Sequence, residues 1–153
     1  MSKLEVTIDV PTEIKMVRVF DAPKQLVIRA MTTPELVKRW QGAKRAEVTA
    51  CEIDFRVGGK YRTAYRAKNG YEFAFVGTFH EITGDRIVQT ESFEGQPGEA
   101  RVTTTYVESD GKTTMTMIMS FPTQAERDAV IATGMAKGAG EAYDQLETLL
   151  AGM

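Results

Sequence analysis

The chain has 153 residues, of which 42% are hydrophobic and 26% are charged, and its formal net charge is −2. These proportions are ordinary for a globular protein, so they predict one folded domain spanning residues 1–153 and argue against disorder. Lysines and arginines are interspersed with acids along the sequence, and no basic stripe stands out, so we expect no nucleic-acid partner.

The first forty residues predict two strands followed by two short helices. Apolar and polar residues alternate between residues 4 and 10, which predicts a strand, and a second strand is predicted over 14–20. Asp21 is a candidate cap for the first helix, and Thr33 for the second. Gly42 is expected to end the second helix.

Six further strands are predicted in close succession, near 46–55, 59–67, 71–82, 86–94, 100–109 and 112–121. Asn69-Gly70 and Asp110-Gly111 are typical of tight hairpins, because both central positions of a type I′ turn need a positive φ. Consecutive strands joined by short hairpins pair with one another, so the sequence predicts an antiparallel meander.

The C-terminal part predicts helix. Thr123 and Glu126 have the spacing of a capping box, and nothing from there to about Leu150 forbids a helix, which would be about 40 Å long. The elements together predict an α+β fold: a curved antiparallel sheet, two short helices and one long C-terminal helix over one face of the sheet.

Three strands and the last helix suggest where a ligand would lie. Met115, Met117 and Met119 share one face of the last strand, and methionine is common at adaptable binding surfaces, although the same row would suit an ordinary core. Rows of aromatic residues occupy the strands near 59–67 and 71–82. Tyr, Phe and Met side chains with a few hydroxyl groups are the usual lining of a small-molecule site.

The predicted last helix contains Gly134, Gly138 and Gly140, which together forfeit roughly 3 kcal/mol of helix propensity relative to alanine. Three explanations stand open: a void beneath a slim helix, close contact of its backbone with the sheet or a second subunit, or a kink or break near 134–140. The first explanation predicts a cavity for a hydrophobic, aromatic or lipid-like molecule. The residues predicted to bind it are Trp40, Tyr61, Tyr65, Phe73, Phe75, Phe79, Met115, Met117, Met119, Met135, Gly138 and Ala142.

Several chemistries find no support in the sequence. His80 is the one histidine and is expected on the outer face of its strand, while Cys51 is the one cysteine and is expected in the core. One histidine and one cysteine are too few for a typical zinc site, and a lone histidine lacks the usual partners of a Ser-His-Asp triad. We therefore expect no metal and no cofactor. Strand carboxylates could still act as general acids or bases if they faced the cavity, and the candidates are Glu52, Asp54, Glu81 and Glu91, with Arg62 beside them.

The N-terminus has no signal-peptide pattern and no window has the roughly 18 apolar residues of a membrane helix. A cytoplasmic protein without membrane insertion is therefore expected, and a homodimer is left open. Binding of a hydrophobic molecule is the favoured function. A cyclase- or hydrolase-like enzyme with a buried carboxyl and a protein-interaction module with a filled core are the alternatives.

A series of short segments resembles a known family. They are Phe20-Asp21-Ala22-Pro23, Thr33-Pro34-Glu35-Leu36 with Trp40, the run 54–62, the run 77–82, Thr90-Glu91, the run 134–138 and the run 146–150. This series resembles the bacterial branch of the Hsp90-ATPase-activator-homologue family, within the START/Bet v 1-like (SRPBCC) superfamily. The resemblance implies a helix-grip fold with an apolar cavity and carries over no catalytic motif.

Overall fold

The computed structural model describes residues 3–153, which form one eight-stranded antiparallel sheet and four helices. The strands are β1 (Glu5–Thr7), β2 (Glu13–Phe20), β3 (Ala46–Ile53), β4 (Lys60–Ala67), β5 (Glu72–Ile82), β6 (Arg86–Phe93), β7 (Ala100–Ser109) and β8 (Lys112–Ser120). The helices are α1 (Lys24–Thr32), α2 (Pro34–Trp40), α3 (Gln124–Ala132) and α4 (Met135–Ala151). No helix in this range is long and apolar enough to cross a bilayer.

The strand order is β1-β2-β8-β7-β6-β5-β4-β3, so the meander predicted from β3 to β8 is confirmed. The long connection occurs between β2 and β3, where α1 and α2 carry the chain from one side of the sheet to its far edge. β2 then pairs with the last strand, and Phe20 lies opposite Thr113. Strands from both ends of the chain therefore lie side by side.

The sheet is irregular at two places. The register shifts between Val48 and Ala50 on β3, and between Phe79 and Glu81 on β5. Such bulges insert one unpaired residue and bend the strand. They help the sheet to curve around the helices, and the one in β5 leaves His80 on the exposed outer side, as predicted.

Two expectations about the first helices need correction. Asp21 does not cap α1: Pro23 is at the N-cap position and no side chain forms a capping hydrogen bond there. Thr33 is at the N-cap of α2, but its hydroxyl also makes no capping bond; Pro34 occupies the first helical position, where its fixed φ suits a helix start. Gly42, with φ 75°, follows the cap residue of α2 as expected.

The long C-terminal helix is present as predicted, but it begins at Met135 and not near Thr123, and the third explanation for its glycines is correct in part. The chain forms α3 and α4 with a break at Thr133–Gly134, where Gly134 has φ 78°. A left-handed residue ends one helix and lets the next begin in a new direction. The start of α3 was predicted correctly, since the Thr123 hydroxyl accepts a hydrogen bond from the Glu126 N–H.

α4 packs over the inner face of the sheet and against α1 and α2. Leu146 of α4, Phe20 of β2 and Met115 of β8 are fully buried in this core. Trp40 joins the three helices: its indole N–H donates to the Ala30 carbonyl oxygen at the end of α1 (2.9 Å), and its ring stacks on Tyr143 of α4. These contacts hold the helices against one another above the sheet. A space remains between the helices and the sheet near the start of α4.

Candidate functional site

A cavity of about 280 Å³ lies between the sheet, α2 and the first half of α4. Eight of the residues predicted to bind a ligand line it: Trp40, Tyr61, Tyr65, Phe75, Phe79, Met117, Met119 and Met135. They come from α2, three strands and α4, so only the folded chain brings them together. A lining of ring and thioether groups with a few polar atoms is the usual composition of a site for a small organic molecule.

Four of the predicted residues lie elsewhere. Met115 is fully buried in the core beside Phe20 and Leu146, and Phe73 packs among the aromatic rings of Tyr65 and Phe75 without reaching the cavity. Gly138 and Ala142 of α4 do not line the cavity, and Ala142 is buried in the core.

Two residues of α4 that line the cavity each lie one position after a predicted residue: Ala139 follows Gly138, and Tyr143 follows Ala142. Met135, Ala139 and Tyr143, spaced by four residues, face the cavity. Because the helix is broken at Gly134, its direction and rotation differ from those of the continuous helix that the prediction assumed. Ala139 is therefore the small side chain between the helix and the cavity. A Cβ added at Gly138 would meet only the Arg45 side chain, at 3.9 Å, and one added at Gly140 would meet nothing within 4 Å.

The sequence alone did not identify several polar lining residues, among them Gln41, Gln89, Tyr106 and Tyr143, and it left open whether Glu91 faces the cavity. The alternation in β6 offered a signal, since Ile87, Gln89 and Glu91 share the inner face. The signal was weak because Val88 and Thr90 on the other face are also buried. A strand buried on both faces does not reveal from its pattern which side chains line a cavity.

Gly77 makes room for the Tyr61 hydroxyl, which forms a short hydrogen bond in the wall of the cavity. Tyr61 of β4 lies opposite Gly77 of β5, and its hydroxyl reaches across β5 to donate a 2.6 Å hydrogen bond to the Thr90 carbonyl oxygen of β6. A Cβ at position 77 would meet that oxygen, and it would lie 2.6 Å from the Tyr61 ring and hydroxyl. The missing side chain of Gly77 therefore leaves a gap, and a neighbouring tyrosine fills it.

Glu91 supplies the only carboxyl group of the cavity lining. Burial raises its pKa to about 7, and no hydrogen bond or ion pair within residues 3–153 satisfies its oxygens. At neutral pH both forms are populated, so the group can donate a hydrogen bond when protonated and accept one when ionised.

Four tyrosines surround the cavity, and their hydroxyls differ in availability. Burial raises the pKa of all four phenols, and the negative charge of Glu91 adds to the shift for Tyr61, Tyr65 and Tyr143. The Tyr65 hydroxyl donates to Gln41 Oε1 at 3.2 Å. The Tyr143 hydroxyl has only the Met117 sulfur at 4.0 Å, a weak acceptor, so it remains available to a ligand.

The other titratable candidates lie outside the cavity. Three of them form exposed ion pairs: Asp54 with Arg56 (2.8 Å), Glu81 with Arg86 (2.6 Å) and Arg62 with Glu94 (2.7 Å). Glu52 and His80 are exposed, and Cys51 is buried as predicted, where burial raises its thiol pKa. No group of three or more potential metal ligands occurs in the described part of the chain.

Comparisons with known proteins agree with this architecture. The family model described as Activator of Hsp90 ATPase homolog 1-like protein matches residues 21–151. No curated protein is significantly similar to the sequence.

Among solved structures, a protein from Rhodobacter sphaeroides superposes with a TM-score of 0.91 at 26% identity, over 99% of each chain. A protein from Chromobacterium violaceum gives 0.81 at 28% identity over 92% of this chain and 98% of that one. DynU16, described as a protein in the dynemicin biosynthetic locus, gives 0.69 at 23% identity and covers 90% of this chain but 48% of its own; this likeness shows the fold alone.

Proposed function

Because the chain belongs to the family of Activator of Hsp90 ATPase homolog 1-like proteins, whose helix-grip fold commonly holds hydrophobic ligands, we propose that it binds a mainly apolar small molecule between its sheet and α4. One observation carries the proposal: an internal space lined by methionine and aromatic side chains also contains the unpartnered carboxyl of Glu91. A filled core would have favoured a protein-interaction module, and the cavity argues against that alternative.

The cavity volume limits the size of the ligand. An apolar cavity of about 150 Å³ holds benzene. The cavity here is about 280 Å³, so a two-ring aromatic molecule or a short acyl chain is the size class that fits. Glu91 and the Tyr143 hydroxyl favour a ligand that carries one hydroxyl or carbonyl group, because that group would satisfy polar atoms that otherwise lack a strong partner.

Titration with 2-naphthol, followed through ¹³C-labelled methionine methyl groups, tests the proposal. We expect the signals of Met117, Met119 and Met135 to shift, because these side chains line the cavity. Met115 is fully buried two residues before Met117 but lies outside the cavity, so its signal serves as an internal control.

A pair of variants separates cavity binding from surface binding. Ala139→Leu places three further heavy atoms in the cavity and should weaken binding at least tenfold, which corresponds to about 1.4 kcal/mol. Ala132→Leu makes the same change at an exposed position of α3 and should leave the affinity unchanged. Unshifted cavity methionines, or equal binding by both variants, would contradict the proposal.

The buried carboxyl favours a second candidate, an enzyme that transfers a proton. A group with a pKa near 7 is suited to act as a general acid or base at neutral pH, and Glu91 faces the space where a substrate would lie. Incubating the protein with a bound enolisable ketone in D₂O tests this candidate. Deuterium incorporation that Glu91→Gln abolishes, without loss of ketone binding, would support catalysis; no exchange above the uncatalysed rate would leave binding as the function.

A further inference from the structure

We propose that the ligand of the cavity is amphipathic and carries an anionic group, a phosphate or carboxylate, which is held in a basic groove beside the C-terminal end of α2. This inference rests on the proposed ligand-binding function and specifies the chemical class of the ligand. The basic groove is the surface depression of about 570 Å³ formed by the end of α2, the loop that follows it and the adjoining ends of β3 and β4.

The charge of the basic groove differs from that of the whole molecule. Five cationic side chains line it, whereas Glu47 is its one acid and pairs with Arg66 at 3.0 Å. The whole chain has a net charge of −2. The cations are Lys38, Arg39, Lys44, Arg66 and Lys68.

Most of these cations lack a partner. Within residues 3–153, no carboxylate lies within 4 Å of Lys38, Arg39, Lys44 or Lys68. Other exposed cations nearby are paired: Arg45 binds Glu141 at 2.7 Å. Several like charges around one depression, unneutralised by the protein, produce a positive potential that an anion would neutralise.

The cavity and the basic groove adjoin each other at Gln41, which lines both. Its side-chain oxygen accepts a hydrogen bond from the Tyr65 hydroxyl at 3.2 Å, so this pair separates the two spaces. Val37 faces the cavity and the next residue, Lys38, faces the groove. A molecule whose apolar part fills the cavity would displace this hydrogen bond to pass Gln41 and place a polar end among the cations.

The cavity suits an apolar part of a ligand, and the basic groove suits an anionic part. The cavity lining contains no lysine, arginine or histidine, and its one ionisable acid, Glu91, would repel an anion. The groove is open to solvent and lined by five cations, so an apolar group would gain little by binding there. Lysine and arginine are the side chains that proteins commonly use to bind phosphates and carboxylates. Only a ligand with one apolar and one anionic part satisfies both spaces.

Comparing 2-naphthyl phosphate with 2-naphthol by calorimetry tests the inference. The ester should bind about tenfold more tightly than the alcohol, because charge-assisted contacts in the groove add to the same apolar contacts. The gain should disappear in about 1 M salt, where the Debye length is about 3 Å.

A matched pair of triple variants assigns the gain to the basic groove. Lys38→Gln with Lys44→Gln and Lys68→Gln should remove the advantage of the ester and leave the affinity for 2-naphthol unchanged. Lys15→Gln with Lys60→Gln and Lys112→Gln removes the same charge at exposed positions outside the groove, and should preserve the advantage.

The outcomes separate this inference from the proposed function. If 2-naphthol binds in the cavity but the ester binds no better, or if the two triple variants behave alike, the anion subsite is wrong and ligand binding stands. If neither compound binds in the cavity, the proposed function fails as well. If inorganic phosphate or anionic phospholipid vesicles bind to the groove with full affinity in Ala139→Leu while the ester gains nothing over phosphate, the groove acts independently of the cavity and the inference is overturned.

Discussion

At the scale of single residues, the candidate site depends on two side chains that neighbouring strands place in unusual positions. Glu91 is a carboxyl in an apolar space, and its pKa rises to about 7 because burial disfavours the charged form. Tyr61 reaches the Thr90 carbonyl only because Gly77 has no side chain in its path. Neither residue has an unusual sequence context, so their roles follow from their neighbours in space.

The raised pKa of Glu91 predicts how stability depends on pH. The folded protein binds this proton more tightly than the unfolded chain, so the contribution of Glu91 is fully present below about pH 4.5 and is lost as pH rises through about 7. The loss should be on the order of 2 kcal/mol, because water in the cavity moderates the full effect. Urea denaturation at a series of pH values measures it.

Variants identify the source of this pH dependence. Glu91→Gln should flatten the decline between pH 4.5 and 7, while Glu52→Gln, at an exposed position of β3, should retain it. Identical profiles for wild type and Glu91→Gln would mean that the Glu91 carboxyl is hydrated in the folded protein and has an ordinary pKa.

At the scale of elements, the strands followed their sequence pattern closely and the last helix did not. β3 to β8 begin and end within two residues of the predicted bounds, because hairpin turns mark each junction between consecutive strands. The C-terminal segment contains no proline after Pro122, and its glycines are compatible with both a helix interior and a left-handed break. Local sequence could not determine which of the three glycines would take positive φ.

Substitution by alanine should change the free energy of unfolding in opposite directions at Gly134, before α4, and at Gly140, within it. Gly140→Ala should raise the free energy of unfolding by about 1 kcal/mol, because nothing lies within 4 Å of the added methyl group and alanine favours helix. Gly134→Ala should lower it by about 1 kcal/mol, because φ 78° is strained for any residue with a Cβ. Chemical denaturation of both variants is the measurement, and stabilisation by Gly134→Ala would place the break elsewhere.

At the scale of the whole molecule, two buried arginines connect the two ends of the chain. Arg18 of β2 pairs with Asp144 of α4 at 2.8 Å, but its Nε and Nη2 have no hydrogen-bond partner in the described structure. Arg127 of α3 is better satisfied: its Nη1 donates to the carbonyl oxygens of Ile8 and Val10, each at 3.0 Å. The second arginine therefore fixes the segment between β1 and β2 against the C-terminal part.

The difference in hydrogen bonding predicts different consequences for the same substitution. Arg127→Met should cost about 2 kcal/mol, because it removes the donors to two or more carbonyl oxygens, and amide exchange should accelerate near residues 8–13. Arg18→Met should cost less than Arg127→Met, because two Arg18 nitrogens have no hydrogen-bond partner and the Asp144 carboxylate left behind is exposed to water, although Glu147 at 3.9 Å also loses a cation. Denaturation and hydrogen exchange test both, and equal losses for the two variants would contradict the explanation.

The sequence by itself determined the fold class, the strands and the apolar inner rows, because alternation and turn chemistry are local and repeat along the chain. Eight of twelve predicted residues line the cavity for that reason. The tertiary structure alone decided the break at Gly134, the rotation that brings Ala139 and Tyr143 over the sheet, and the inward position of Glu91. These features depend on contacts between residues far apart in sequence, such as Tyr61 with Thr90 and Trp40 with Tyr143, which no local pattern encodes.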